Sequence, residues 1–200
     1  MKKLPMALAM LLALLPVLTS CARVRYPAYY TLNLPAPPDP PAREGVLPSI
    51  AVREFQSPAY LRQGQIVYRT TPEQVGFYEY HRWAADPRTV LTSAVIDHLR
   101  VGGQFSMVSI YDGRPDNDYI FSGKLEKLEE VDYRPGVKVE VVMSAQITRI
   151  ATGATVWSNA VSEIGPVSQR NVPGVVSEMN RTVELALNKL LSTVPAPLAK

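Results

Sequence analysis

The chain has 200 residues, of which 46% are hydrophobic, and this suits one domain with its own core. Lysine and arginine number 21 and aspartate and glutamate 18, and removal of Lys2 and Lys3 with a signal peptide would lower the formal charge from +3 to about +1. So small a charge gives no reason to expect a nucleic-acid partner. Cys21 is the only cysteine, which excludes an internal disulfide.

Residues 1–20 are predicted to be a signal peptide. The chain starts with basic residues, residues 4–18 form an apolar run broken by proline, and small residues precede Cys21. A spanning helix needs about 20 apolar residues, so this run is too short for one. The four residues that end at Cys21 (LTSC) resemble a bacterial lipobox, in which the cysteine is lipidated and becomes the new N-terminus. We therefore predict lipidation at Cys21 and a tether over residues 21–28; the alternative is a secreted protein with an incidental cysteine.

The first part of the mature chain predicts two strands. Residues 29–34 form the first, with Tyr30 on its apolar face. Residues 35–41 are rich in proline, which cannot join a sheet ladder, and they predict a stiff surface connection. Residues 48–55 form the second strand.

Residues 57–84 contain an unusual concentration of tyrosine. Residues 66–69 and 75–80 read as strands around a turn at residues 70–73, which together predict a hairpin. Amphipathic aromatic side chains are enriched at interfaces, so we predict a surface for a partner or for self-association. The alternative is that these are half-buried residues of one small fold. The predicted surface consists of Tyr60, Tyr68, Arg69, Tyr78, Tyr80, His81, Arg82 and Trp83.

Two amphipathic helices are predicted. Asp86 is a suitable N-cap and Pro87 a suitable first residue for a helix whose apolar stripe covers residues 90–99 and which a glycine pair ends. A second apolar stripe predicts a helix at about residues 172–194, and residues 195–200 read as a loose tail.

The chain between the helices predicts strands at residues 105–111, 119–131, 138–148 and 155–162. The third of these alternates apolar and polar residues, so that one face is buried and the other is wet. With about seven strands, we predict one α+β domain over residues 29–194, in which a twisted, mostly antiparallel sheet carries both helices on one face.

The histidines give little support for an enzyme. His98 lies on the apolar stripe of the first helix, where a residue at the edge of the core is more plausible than a base. His81 lies within the tyrosine-rich segment, where a packing or surface role is favoured. Motifs for a nucleophilic serine or a paired-histidine metal site are not found. We predict no catalytic residue, cofactor or metal; a periplasmic enzyme or ligand sensor is the least favoured alternative.

Two acidic groups also have simple interpretations. Asp112, Asp116 and Asp118 could offer oxygen ligands to calcium, but Pro115 interrupts them and a closing glutamate is missing, so a polar turn is predicted. A second group is predicted to be the wet end of a hairpin. It consists of Glu126, Glu129, Glu130 and Asp132.

The order of these parts resembles the ABC-type transport auxiliary lipoproteins, a group that includes the PqiC-type intermembrane transport lipoproteins. The resemblance rests on Cys21, on residues 29–32 (YYTL), on residues 60–69 with their QIVYR sequence, and on residues 80–84 (YHRWA) before the first helix. It covers essentially the whole mature chain.

The resemblance implies a non-enzymatic lipoprotein of the outer membrane that faces the periplasm of a two-membrane bacterium. Ala22 follows the cysteine where an aspartate would imply retention in the inner membrane. The implied partners are an MCE-domain protein and an inner-membrane ABC or related component that move lipids, and the implied assembly is a homo-oligomer such as a ring. The alternative is a structural envelope lipoprotein that tethers another complex.

Overall fold

A computed structural model of the protein describes residues 24–35, 47–133 and 135–195. The predicted signal peptide, Cys21, nearly all of the proline-rich connection and the tail after residue 195 lie outside the described residues. The strands are β1 (Ala28–Tyr30), β2 (Ser49–Val52), β3 (Gln65–Arg69), β4 (Gly76–Trp83), β5 (Met107–Ile110), β6 (Tyr119–Val131), β7 (Lys138–Arg149) and β8 (Thr155–Pro166). The helices are a 3₁₀ helix (Ala59–Gln63), α1 (Pro87–Gly102) and α2 (Val172–Leu191).

Strand β6 organises the sheet. One of its edges pairs with β7 in a long antiparallel ladder, and β7 continues in the same way into β8. The other edge is divided between two parallel partners, β2 near its start (Ile50 opposite Tyr119) and β3 at its end (Val67 opposite Glu129). Strand β5 adds to β2, while β4 and then β1 add to β3.

The predicted α+β class with two helices is confirmed, and the described residues form eight strands where about seven were expected. The first strand is shorter than predicted and pairs in parallel with β4. The residues that follow it leave the sheet for helix α2, where Asn180 accepts a hydrogen bond from the Asn33 amide and donates one to the Thr31 carbonyl. Because these backbone groups are satisfied by a side chain, the strand ends early.

A β-bulge changes which side chains of β6 face the helices. Leu125 lies opposite Met143, but Lys127 already lies opposite Val142, so Glu126 is an additional residue. Before the bulge, odd-numbered side chains face the core, and after it even-numbered ones do, starting with Leu128. Tyr119, Phe121, Leu125 and Leu128 are all buried.

Helix α1 has the predicted caps, and α2 has an N-cap that was not predicted. The Asp86 side chain accepts a hydrogen bond from the Arg88 amide at 2.9 Å, and Gly103 ends α1 in the left-handed conformation. Asn171 caps α2 by accepting from the Gly174 amide at 2.8 Å. Side chains from the two helices and from one face of the sheet form one core, so the helices lie on the same face of the sheet. Buried helical members are Leu91, Val95, Leu99, Val175, Met179, Val183, Ala186, Leu187 and Leu190.

Close packing at Gly123 generates a stability prediction. A β-carbon at this position of β6 would overlap the ring of Phe55, which is 1% exposed. We expect Gly123→Ala to lower the free energy of unfolding by about 1–3 kcal/mol, as overpacking does. Gly102→Ala in α1 is the matched control, because its β-carbon would meet no atom within 4 Å. Urea denaturation of both variants measures the difference; equal stability would contradict the packing described.

Candidate functional site

The tyrosine-rich hairpin is placed by its attachment to the end of β6. Strand β3 pairs with β6 so that Tyr68 lies opposite Glu130, and β4 returns antiparallel to β3. Gly76 lies opposite Tyr68, and any β-carbon at Gly76 would overlap the Tyr68 ring. The hairpin predicted from the sequence is therefore present, with glycine at the position that admits the aromatic ring.

On the face of the sheet opposite the helices, Arg69 and Glu129 form a buried ion pair. The Arg69 Nε atom donates to Glu129 Oε1 at 2.7 Å, and the Glu129 side chain is 0% exposed. The Tyr60 hydroxyl lies 3.4 Å from Glu129 Oε2, and the guanidinium of Arg69 lies 5.7 Å from the centre of the Tyr60 ring. Burial, with the nearby Glu129 charge, raises the pKa of Tyr60, which keeps the phenol neutral. This group fixes the 3₁₀ helix against the sheet.

On the helix face, Tyr78 and Glu130 form a second buried pair. The Tyr78 hydroxyl donates to Glu130 Oε2 at 2.7 Å, and the Tyr68 and Tyr78 rings lie 4.9 Å apart. Burial raises the pKa of Glu130 even though the hydrogen bond from Tyr78 opposes the shift. Burial and this carboxylate also raise the pKa of Tyr78 far above its ordinary value of 10.0.

The prediction that the β6 glutamates form the wet end of a hairpin is wrong for two of them. Glu129 is 0% and Glu130 6% exposed. The reason is that β3 pairs with this end of β6, and hydrogen-bond donors come from Arg69 of β3, Tyr78 of β4 and Tyr60 of the 3₁₀ helix.

His81 and Trp83 face inward. The His81 Nδ1 atom and the Tyr30 hydroxyl share a hydrogen bond of 3.0 Å, and the His81 ring meets the edge of the Tyr78 ring at 5.7 Å. Trp83 is 7% exposed, belongs to the core and pairs with Tyr30 between β4 and β1. Within the predicted surface, Trp83 is thus the residue with the least accessible side chain.

Arg82 faces the other way, because side chains alternate between His81, Arg82 and Trp83 at the end of β4. The β3–β4 ladder has a register irregularity between Phe77 and Arg82, so Tyr78 and His81 share a face although they are three positions apart. Arg82 lies opposite Tyr29, which is 63% exposed. The guanidinium of Arg25 lies 5.0 Å above the Tyr80 ring. The eight residues of the predicted surface therefore occupy both faces of one sheet region, and whether they bind a partner stays a prediction.

A groove of about 570 Å³ opens beside the Tyr78–Glu130 pair and the start of α2. Asp132, Arg170 and Asn171 add polar groups to its wall. A wider groove of about 710 Å³ follows the sheet face opposite the helices, where Ser122, Lys124, Ser144 and Gln146 are among its lining residues.

Asp118 and Asp112, two of the other residues considered from the sequence, have structural partners. Asp118 Oδ2 accepts from the Ser49 amide at 2.8 Å, and Asp112 pairs with Arg114 across their turn. His98 is half-buried on α1, and burial lowers its pKa. In residues 24–35, 47–133 and 135–195, groups of three or more potential metal-ligating side chains are absent. Among those same residues, none of the helices has the length and apolar character needed to cross a bilayer.

Comparison with known families decides the classification. The family described as the ABC-type transport auxiliary lipoprotein component matches residues 30–190. The chain belongs to this family. The resemblance drawn from the sequence is therefore confirmed. The matched region of this auxiliary lipoprotein contains the tyrosine hairpin, α1, β6–β8 and all but the last residue of α2. No curated protein matches it.

Solved structures share the fold of this auxiliary lipoprotein. Protein XCC0632 from Xanthomonas campestris is 17% identical, with 82% of this chain and 91% of that chain covered and a TM-score of 0.69. The crystal structure of an uncharacterized protein is 12% identical over 85% of this chain and 99% of that one, with a TM-score of 0.65. A PelC dodecamer from Paraburkholderia phytofirmans is 18% identical over 72% of this chain and 89% of that one, but its TM-score of 0.45 is too low to bear on assembly here.

The buried ion pair gives a second prediction. Arg69→Met removes the cation beside a carboxylate that has no exposed surface, and we expect a loss of about 3 kcal/mol in the free energy of unfolding. Arg114→Met is the control, since the side chains of Arg114 and Asp112 are 75% and 57% exposed, and such pairs contribute under about 1 kcal/mol. Denaturation curves compare the two; similar losses would refute the structural role of Arg69.

Glu130 gives a third prediction, on pH. Its pKa is raised in the folded chain above the ordinary 4.5, so the folded chain binds more protons than the unfolded chain between these two values. Stability attributable to Glu130 is therefore retained below the ordinary pKa and lost as the pH rises through the folded pKa. We expect wild type to lose stability relative to Glu130→Gln as the pH rises through this window.

Unfolding free energies measured from about pH 4 to about pH 8 provide the test. Glu73→Gln, on the exposed β3–β4 turn, controls for the loss of one negative charge. A constant difference between wild type and Glu130→Gln across this range would contradict the prediction.

Proposed function

We propose that the protein is a lipid-anchored, non-enzymatic accessory component of an intermembrane lipid transport system. The observation that carries the proposal is the match of residues 30–190 to the auxiliary lipoprotein family. Its proposed work is to bind other proteins rather than to transform a substrate. The tyrosine hairpin suits binding, because its side chains are held by buried hydrogen bonds and offer a preorganised surface.

The proposed anchor is lipidated Cys21. The apolar run before it and the LTSC sequence that ends at it support this modification, and the described domain begins within a few residues of it. Several acyl chains, each contributing about 0.8 kcal/mol per buried methylene, would hold the protein at the membrane permanently. Because Ala22, and not aspartate, follows the cysteine, we propose that the protein is located on the periplasmic side of the outer membrane.

The proposed partners are an MCE-domain protein and an inner-membrane ABC or related component, with a ring of identical subunits as the proposed assembly. The exposed parts of Tyr60, Tyr68 and Tyr78 are the candidates for protein contacts. Two features of this region support the assignment: its tyrosines are half-buried, and they are clustered at one end of β6.

The fourth prediction concerns both anchor and partners. We expect cross-linked membranes to yield the lipidated protein together with an MCE-domain protein when the complex is purified and identified by mass spectrometry. Cys21→Ala should move the protein to the soluble fraction and abolish this recovery, because only membrane attachment is lost. Its circular dichroism and melting temperature should match those of the mature wild type.

The alternatives have different outcomes in the same experiment. Recovery of a cell-wall or envelope complex without an MCE-domain protein would replace transport by a tethering role. Retention in the membrane of a Cys21→Ala chain from which residues 1–20 have been cleaved would contradict lipidation as the anchor.

A further inference from the structure

The first described residues expose large hydrophobic side chains. Val24 is 69%, Tyr26 81% and Tyr29 63% exposed. Tyr29 belongs to β1, which is an edge strand because it pairs only with β4 among the described strands. Exposed aromatic side chains at the start of a domain leave a large apolar area in water, which is unfavourable unless something covers it.

These side chains continue into a larger surface. Tyr29 lies opposite Arg82 in the parallel pairing of β1 with β4, and paired residues of neighbouring strands project to the same face. Tyr80 precedes Arg82 by two positions in β4, and the guanidinium of Arg25, just before β1, lies over the Tyr80 ring at 5.0 Å. We name Arg25, Tyr26, Tyr29, Tyr80 and Arg82 the N-terminal aromatic patch.

The length of chain between the patch and Cys21 limits how far apart they can be. Each residue spans at most about 3.3–3.6 Å, so Tyr26 lies within about 18 Å and Tyr29 within about 29 Å of the cysteine. The interfacial layer on each side of a bilayer is about 5–8 Å thick. A cysteine whose acyl chains are inserted lies at this layer, so Tyr26 and Tyr29 are within reach of it.

We infer that the N-terminal aromatic patch rests on the phospholipid headgroups of the membrane that holds Cys21. This inference rests on the lipidation in the proposed function. Tyrosine prefers the interface because its ring is apolar and its hydroxyl reaches water. The guanidinium groups of Arg25 and Arg82 can bind lipid phosphates, and their two positive charges exceed the single carboxylate of neighbouring Glu79.

The membrane fits this patch better than it fits the other exposed edge. Strand β5 also exposes apolar side chains, Met107 at 51% and Ile110 at 63%. However, β5 is attached through β2 near the start of β6, whereas β1 is attached through β4 and β3 at its end. The tether therefore brings the β1 end of the sheet to the bilayer.

One consequence concerns the predicted association surface. Tyr80 and Arg82 are assigned to the membrane, while Tyr60, Tyr68 and Tyr78 remain available to proteins. The bilayer contact also fixes the orientation of the sheet, since the β1 corner of the sheet is both tethered to the membrane and in contact with the headgroups.

Tryptophan fluorescence tests the inference. Tyr29→Trp places a probe in the patch, and Ile110→Trp is its matched control because both positions are 63% exposed. The native Trp83 and Trp157 are 7% and 9% exposed, so their emission gives a nearly constant background. The mature lipidated variants are purified from membranes and reconstituted in vesicles of phosphatidylethanolamine and phosphatidylglycerol.

The reference for each variant is its Cys21→Ala version in buffer without detergent. Relative to this reference, we expect the tryptophan emission of Tyr29→Trp on vesicles to shift to the blue and to be quenched less by acrylamide. Brominated lipids should quench Tyr29→Trp and not Ile110→Trp. Unchanged emission of Tyr29→Trp on protein that floats with the vesicles would overturn the inference and leave the anchor intact. Mass spectrometry of the Cys21 peptide separates this from failure of the anchor: a peptide without acyl chains would overturn both.

Discussion

The sharing of one edge of β6 between two parallel partners is the constraint on which the N-terminal half of the domain depends. Strand β2 pairs with its start and β3 with its end, and Gln56 makes a single bridge to Lys124 between them. The chain therefore follows one edge almost continuously while the 3₁₀ helix makes a short excursion. Since β5, β4 and β1 reach β6 only through these two strands, loss of either pairing would detach a whole flank of the sheet.

This arrangement buries two carboxylates at the end of β6, Glu129 and Glu130, one on each face of the sheet. Both are buried by the strands that pair there, and each is matched by a donor from the hairpin: Arg69 for Glu129 and Tyr78 for Glu130. An uncompensated buried charge is far more costly than a paired one. Arg69 and Tyr78, which were predicted to belong to an interaction surface, are thus required by the fold.

Local patterns in the sequence predicted much of this structure. Asp86 caps its helix, the alternation in β7 identifies its buried face, and the tyrosine-rich segment forms the expected hairpin. Long-range pairing could not be predicted in this way. Arg69 and Glu129 are 60 positions apart, so the burial of Glu129 follows from a parallel pairing that neither segment encodes by itself. Thr92 is a similar case. It is 2% exposed, and its hydroxyl accepts a hydrogen bond from the Phe55 amide, 37 positions away.

The bulge at Glu126 has a consequence for how β6 can vary in sequence. Inward-facing side chains of β6 lie at odd positions up to Leu125 and at even positions from Leu128. A deletion of one residue before the bulge and an insertion after it would restore the length of the strand but exchange the inner and outer faces of the segment between them. Equal length is therefore no guide to equivalence in relatives; aligned positions are comparable only when their bulges are superimposed.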